Sequence, residues 1–536
     1  MSGRRNGGRL RPHERLANNE APVLGDNIDL GGEYDIALQE TLSLEMNDAT
    51  RKDYRRRLVR IAKFWDVHHP AYALIGTKIV EDPDLNDPSK YYYGHYKRDL
   101  VYTGMNVKLF ISFLLQTKKK GNGKIKQFTD IRKYKDAILW GSATSECPLP
   151  TAFYTEVTKY LKSYKKETVV AKKNGMVDES GADPIPPALF HLICQWSIQQ
   201  NNIFMWFWTL FQWNTMARCA SIDPLGFHNM SLGQDSIKCK YDDSKTKKDG
   251  EKLSEKNIYA NHIDYFLCWW TAFAVYTAIN NDALSKFERF FLKPGVKFGT
   301  ASGRYQDQLL GLIKEKKDQV KNHIRLDHMN AYGLRKGSAT LATSGTTCPP
   351  PIASIARRGE WSMGAVLDVY WHFSEPGDHY LGRILACLDP TKPSFGTLPP
   401  HFNVIDPMSN PDIKWAMRMM YGSILDEYEG KPNDPSALIL RCFPSLIYHS
   451  DKLIAVMVNT PGHDFTKLPL LHDRDLLNRL KALVTLEPTP NVMDVATGIP
   501  PHITLAVQTR VSFLFFLFLK CKQMYLHFFY SLIFRN

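Results

Sequence analysis

The chain has 536 residues, 44% of them hydrophobic and 23% charged, a balance that excludes wholesale disorder and asks for roughly two or three domains with cores of their own. Lys and Arg outnumber Asp and Glu by 68 to 55, a formal charge of +13 that favours an anionic partner. The nine cysteines are scattered, with no Cys-x-x-Cys pair and no histidine at zinc-ligand spacing; this excludes a disulfide framework and fits a reducing compartment.

Residues 1–40 are rich in Gly, Asn and Arg without periodicity and read as a flexible basic tail, not as a secretory signal. A helix is expected after Asn47-Asp48, because Tyr54, Leu58, Ile61 and Trp65 fall on one apolar face. Arg56, Arg60 and Lys63 share the same spacing on another face, so this helix can pack on one side and meet phosphates on the other. A second helix, Val107 to Gln116, carries Phe110, Ile111 and Leu114 and runs into Lys118, Lys119, Lys120, Lys124 and Lys126. A third periodic stretch, Phe153 to Tyr164, ends in Lys165 and Lys166. Charge runs are usually solvated faces, but three basic clusters on short helices favour a helical DNA-clamping domain over residues 41–175. Residues 167–186, with Gly175, Gly181 and Pro184-Ile185-Pro186-Pro187, read as the linker to a second domain over 184–390.

Within that domain Ala188–Gln199 and Ile203–Trp213 are expected as helices, the second apolar almost all round and therefore buried. Ile237, Cys239 and Tyr241 alternate as a strand does, and a polar turn follows from Asp242 to Gly250. Further helices are expected at His262–Ile279, Tyr305–Val320, Leu334–Ser344, Pro351–Arg357 and Ser362–Phe373, giving a mainly α fold with one small β-sheet. Residues 391–510 are Pro-rich and read as an accessory C-terminal region. The Phe- and Leu-rich stretch Val511 to Phe534 is interrupted by Lys520 and Lys522, so it reads as an atypical hydrophobic tail over 511–536, not a membrane anchor.

The residues that carry chemistry are Arg218, Lys245, Arg335, Trp361 and Tyr370. Breaking a phosphodiester without a metal requires neutralisation of the non-bridging oxygens, a proton for the leaving oxygen and a nucleophile that keeps the bond energy in covalent form. Arginine suits the first task because its planar fork binds two oxygens and stays charged. A lysine on a turn, such as Lys245 with Lys247 and Lys248 as alternatives beside it, suits the second. A tyrosine suits the third, and neighbouring cations ease the ionisation of a phenol whose ordinary pKa is about 10. Arg335 opens a helix backed by Gly337, Ser338 and Ala339, small residues that permit close approach. Trp361 has one N–H to give to phosphate. Read singly, Arg218 is a helix C-terminal arginine, Trp361 a core tryptophan and Tyr370 one of 25 tyrosines; the argument rests on their order and on the nine positions from Trp361 to Tyr370.

In that order the residues resemble the tyrosine recombinases, the phage-integrase-like superfamily. Arg335-Lys336-Gly337-Ser338-Ala339-Thr340, Trp361-Ser362-Met363-Gly364, Gly377-Asp378, Gly382-Arg383 and Pro399-Pro400-His401-Phe402 look more narrowly like the crypton-type recombinases of eukaryotic DNA transposons. The resemblance covers about residues 190–402, with a weaker echo in 41–166. It implies a helical N-terminal (SAM-like) DNA clamp plus a recombinase catalytic domain. It also implies a nuclear DNA integration and recombination activity through a 3′-phosphotyrosine, with double-stranded DNA and further copies of the chain as partners and no metal or cofactor. The family's His-x-x-Arg is here Tyr332-Gly333-Leu334-Arg335, so Tyr332 takes the place of the histidine that assists proton transfer, and Glu360 puts a carboxylate beside the phosphate site. Two other readings stand beside an active recombinase: a catalytically weakened DNA-binding protein that keeps the fold, and a type IB topoisomerase with the same chemistry.

Overall fold

The structure, a computed structural model, describes residues 48–79, 98–177, 181–242, 254–287, 289–291, 300–325, 328–363 and 375–489. The chain divides into two compact units, residues 1–180 and 181–536. The described residues of both are mainly helical, with short antiparallel strands. The expected N-terminal tail, nearly all of the Asp242–Gly250 turn, the helix at Ser362–Phe373 beyond Met363 and the hydrophobic tail lie outside the described residues.

The first unit holds α1 (Asp48–His68), α2 (Pro70–Gly76), β1 (Thr77–Ile79), β2 (Arg98–Leu100), α3 (Val107–Thr117), α4 (Phe128–Thr144) and α5 (Thr158–Lys173). On α1 the apolar face is the expected one: Leu58, Ile61 and Trp65 are buried and Tyr54 packs against them, while Arg56, Arg60 and Lys63 are exposed. The side chain of Asn106 caps α3 by accepting from Leu109 N at 3.2 Å. Helix α4, which the sequence pattern did not single out, places Ile131, Tyr134, Ala137 and Ile138 in the same core. Phe153–Val157 forms one π-helical turn, and α5 then continues to Lys173, inside the stretch expected as linker. It is held there by Thr168 Oγ1 donating to Tyr164 O and by Glu167 binding Lys118 at 2.7 Å.

In the second unit, α6 (Pro187–Gln199) packs on α7 (Ile203–Asn214), and α8 (Cys219–Ile222) follows closely. Every residue of α7 from Met205 to Asn214 is buried, as expected of a helix apolar all round. Strands β3 (Met230–Leu232), β4 (Ile237–Cys239) and β5 (Lys256–Ile258) form an antiparallel sheet in which Cys239 faces both Met230 and Lys256. Then come α9 (Trp269–Ile279), α10 (Asn281–Leu284), α11 (Thr300–Glu315), α12 (Lys317–Val320), α13 (Tyr332–Ser344), α14 (Ile352–Arg358) and α15 (Glu375–Leu385). Beyond them lie β6 (His401–Phe402), α16 (Pro411–Tyr428), α17 (Ser436–Tyr448), α18 (Ser450–Asn459), α19 (Arg474–Lys481) and β7 (Val484–Thr485), which pairs with β6.

Two further expectations differ from what the chain does. Residues 391–489 are no separate accessory body: Ile413, Met417, Tyr421, Phe443, Leu446 and Leu477 share one core with α7 and α9, and α17 packs along α9. The apolar surface of α9 is too complete for the earlier helices to cover, and these later helices close it. The single expected sheet is one of three among the described residues, the other two being two-stranded. Also among the described residues, no helix is long and apolar enough to cross a membrane.

Candidate active site

The site is assembled where the end of α7, the start of α13 and the end of α14 meet. After α7 the chain turns through Met216, which takes a left-handed conformation (φ 51°), and leaves Arg218 extended at the N-terminal cap of α8. Arg218 is thus not the C-terminal residue of the buried helix. Its side chain is half-exposed and forms no ion pair or hydrogen bond among the described residues.

Helix α13 is set by glycine. A Cβ at Gly337 would lie 2.0 Å from Ile185 O, and one at Gly333 would lie 2.7 Å from Asp183 O. The helix therefore lies directly on the 183–185 main chain, which pushes the face bearing Arg335 inward. Arg335 is only 3% exposed. Its Nη1 donates to Met216 O at 2.5 Å and its Nη2 to Gly359 O, while Nε is buried with no partner. The guanidinium carbon stands 5.5 Å from the centre of the Trp361 ring. Burial, followed by the charge of Arg218, lowers the Arg335 pKa from the ordinary arginine value, so the two guanidinium groups stand within electrostatic reach of each other.

Trp361 is half-buried against Met216, Ala342, Ile355, Leu381 and Leu385. Its ring covers Gly359, where a Cβ would meet the indole at 2.9 Å. Tyr332, one helical turn before Arg335, is 44% exposed, with Lys336 Nζ 6.0 Å from its ring centre. Arg218, Tyr332, Arg335 and Trp361 are therefore neighbours, whereas Lys245, its alternatives Lys247 and Lys248, and Tyr370 lie outside the described residues.

The carboxylate expected beside the phosphate site is turned inward. Glu360 is 3% exposed, takes a left-handed conformation (φ 52°) and accepts from Lys256 Nζ at 2.8 Å. Below it a buried frame joins α14, α15 and the sheet: Arg358 donates to Asp378 at 2.9 Å and to Asn257 O at 2.6 Å, and Asp378 accepts from Asn257 N at 2.7 Å. Arg383 pairs with Asp235, and Gly382 lets α15 approach β5, since a Cβ there would lie 2.3 Å from Asn257 O. Lys256, Asn257 and Arg358 were missed in the sequence, because each is defined by a partner many residues away. For Asp378 and Arg383 the signal was present in the Gly-Asp and Gly-Arg pairs. Their part is to anchor the chain on either side of residues 364–374.

In the first unit Arg56, Arg60, Lys63 and Lys119 are exposed. Arg60 lies 3.5 Å from Tyr134 Oη, and Lys120 N closes a tight turn onto Lys124 O at 2.8 Å. Lys118 differs from the expectation: its ammonium is bound by Glu167 and lies 5.5 Å from the ring centre of Tyr164, so it braces α3 against α5. In comparison with known proteins, no family model matches this chain and no curated protein matches it.

Proposed function

We propose that the protein is a DNA strand-breaking and rejoining enzyme of the tyrosine-recombinase kind, acting on double-stranded DNA in the nucleus as an assembly of several copies. The observation that carries this reading is the pairing of Arg218 with the buried Arg335, whose Nε–H lacks a partner, while no carboxylate forms an ion pair with either among the described residues. Two like charges held together at an energetic cost, with donors left over, make an anion site. A phosphodiester supplies the anion that satisfies both.

In this mechanism Arg218 and Arg335 bind the non-bridging oxygens, and Trp361 Nε1 and Tyr332 Oη donate further hydrogen bonds. The Tyr370 phenolate attacks phosphorus, the bond to the 5′-oxygen breaks, and a lysine of the 245–248 turn gives that oxygen its proton. Attack by the 5′-hydroxyl of another strand then reverses the step, and the tyrosine is released. Accumulating charge meets donors already in place, which is where a preorganised site gains its rate.

A second reading, a DNA-binding protein that keeps this fold with weakened catalysis, is favoured by one observation: Tyr332 stands where a proton-exchanging histidine is expected. The test of both is incubation with a random-sequence pool of nicked duplexes in EDTA, scored for protein–DNA adducts that survive detergent. Adducts formed by the wild type and absent from Tyr370→Phe support the enzyme. Tight duplex binding with no adduct supports the second reading.

A further inference from the structure

A buried ammonium is paired with Glu360, the residue between Gly359 and Trp361. Lys256, the first residue of β5, is fully buried; its Nζ lies 2.8 Å from Glu360 Oε1, 3.2 Å from Ser254 O and 3.8 Å from the centre of the Tyr241 ring. Glu360 lies between Gly359, whose carbonyl holds Arg335, and Trp361, whose ring covers the Arg335 guanidinium. Its carboxylate acts on Arg335, after burial, Arg218, Tyr241 and Tyr332. A carboxylate at this depth must be neutralised, because a lone buried charge costs several times what a paired one does. Lys256 does so at 2.8 Å. If the arginines did, their charge and donors would be spent before any phosphate arrived.

We propose that Lys256 is a positioning residue that holds the Glu360 carboxylate away from Arg218 and Arg335, so that both arginines stay available to an oxyanion of the phosphate class. The inference rests on the reading above only in taking the two arginines as a phosphate site; it requires no covalent chemistry. The pair also ties the Gly359–Trp361 turn to β5, so the carbonyl that orients Arg335 is fixed by the same contact.

The probe is inorganic phosphate, titrated calorimetrically into the full-length protein, with the site defined as the binding that Arg335→Ala removes. Lys256→Met keeps the length of the side chain and removes the counter-charge that the Glu360 carboxylate meets at 2.8 Å. Phosphate affinity at about pH 8 should fall at least tenfold, as expected when charged hydrogen bonds are diverted. Adding Glu360→Gln to Lys256→Met should restore affinity to within about threefold of wild type, and Lys256→Arg should retain it. A pair with a merely structural role gives a double variant no better than the single one, and that outcome overturns the assignment. If Lys256→Met does not fold, the folded double variant decides: wild-type affinity supports the assignment and lost affinity overturns it. Failure of the recombinase reading looks different, as Arg335-dependent phosphate binding without any DNA adduct. Absence of Arg335-dependent phosphate binding in the wild type sinks the present inference.

Discussion

Arg335 gives hydrogen bonds to two main-chain carbonyls, Met216 O and Gly359 O, and keeps its Nε–H without a partner. Those two bonds fix the orientation of the guanidinium. A lysine cannot repeat them, because an ammonium is a point charge with no planar fork. Arg335→Lys should therefore lower the rate of adduct formation by about 10²-fold or more, the usual cost of one preorganised donor, with duplex binding little changed. A lysine variant that cleaves like the wild type would show that Arg335 does not touch the phosphate. Tyr332→His should raise the rate, since histidine exchanges protons near pH 6.5 and tyrosine only near pH 10; unchanged adduct yield in a folded, binding-competent variant would place the defect elsewhere. Arg335 and Trp361 were legible in the sequence because their order and spacing are local. Lys256 was not, because its meaning depends on Glu360, which lies 104 positions away in the chain.

Gly337 brings α13 onto the main chain at Ile185, and the frame of Arg358, Asp378 and Asn257 brings α14 and α15 onto β5. Gly337→Ala should destabilise the second unit by about 1–3 kcal/mol, because the backbone oxygen at 2.0 Å cannot give way as a side chain could. Asp378→Ala leaves Arg358 buried and unpaired and should cost about 3–5 kcal/mol in chemical denaturation; a loss under about 1 kcal/mol would mean that water reaches the pair. Helix α7 was readable because it is apolar on every side. Helix α4 was passed over because Arg132, Lys133, Lys135 and Asp136 interrupt its apolar residues, although Ile131, Tyr134 and Ile138 still share one face. Residues 391–489 read as accessory because their helices are set among prolines, and only packing against α9 shows that they complete the core.

At the scale of the whole chain, charge and pH give separate handles. Log affinity for random duplex should fall linearly with log salt, and replacing Arg56, Arg60 and Lys63 together by Ala should flatten the slope by about 0.9 for each phosphate they neutralise. Lys118→Ala should leave the slope unchanged, because Glu167 already holds that ammonium; a flattened slope there would assign Lys118 to DNA after all. Burial lowers the pKa of His379, His401 and His463 from the ordinary value. Unfolded, these groups titrate near pH 6.5, so the unfolded chain binds more protons below that point. Their stability is present above about pH 6.5 and is lost as pH falls toward the depressed folded values, by up to about 1.4 kcal/mol per pH unit for each. His191 works in the opposite sense, since its bond to Asp264 raises its pKa. Thermal midpoints should therefore drop between about pH 7 and pH 5, and a flat profile would count against buried neutral histidines.

The central claim is that Arg218, Arg335 and Tyr370 act on one phosphate, with the tyrosine as nucleophile. Its most direct test is to digest the adduct formed on nicked duplexes with nuclease and protease and to locate the nucleotide-bearing residue by mass spectrometry. The account predicts a phosphotyrosine at Tyr370 in the wild type, absent from Tyr370→Phe and strongly reduced in Arg218→Ala and Arg335→Ala. A phosphate attached to any other residue, or an adduct that persists in Tyr370→Phe, would contradict it.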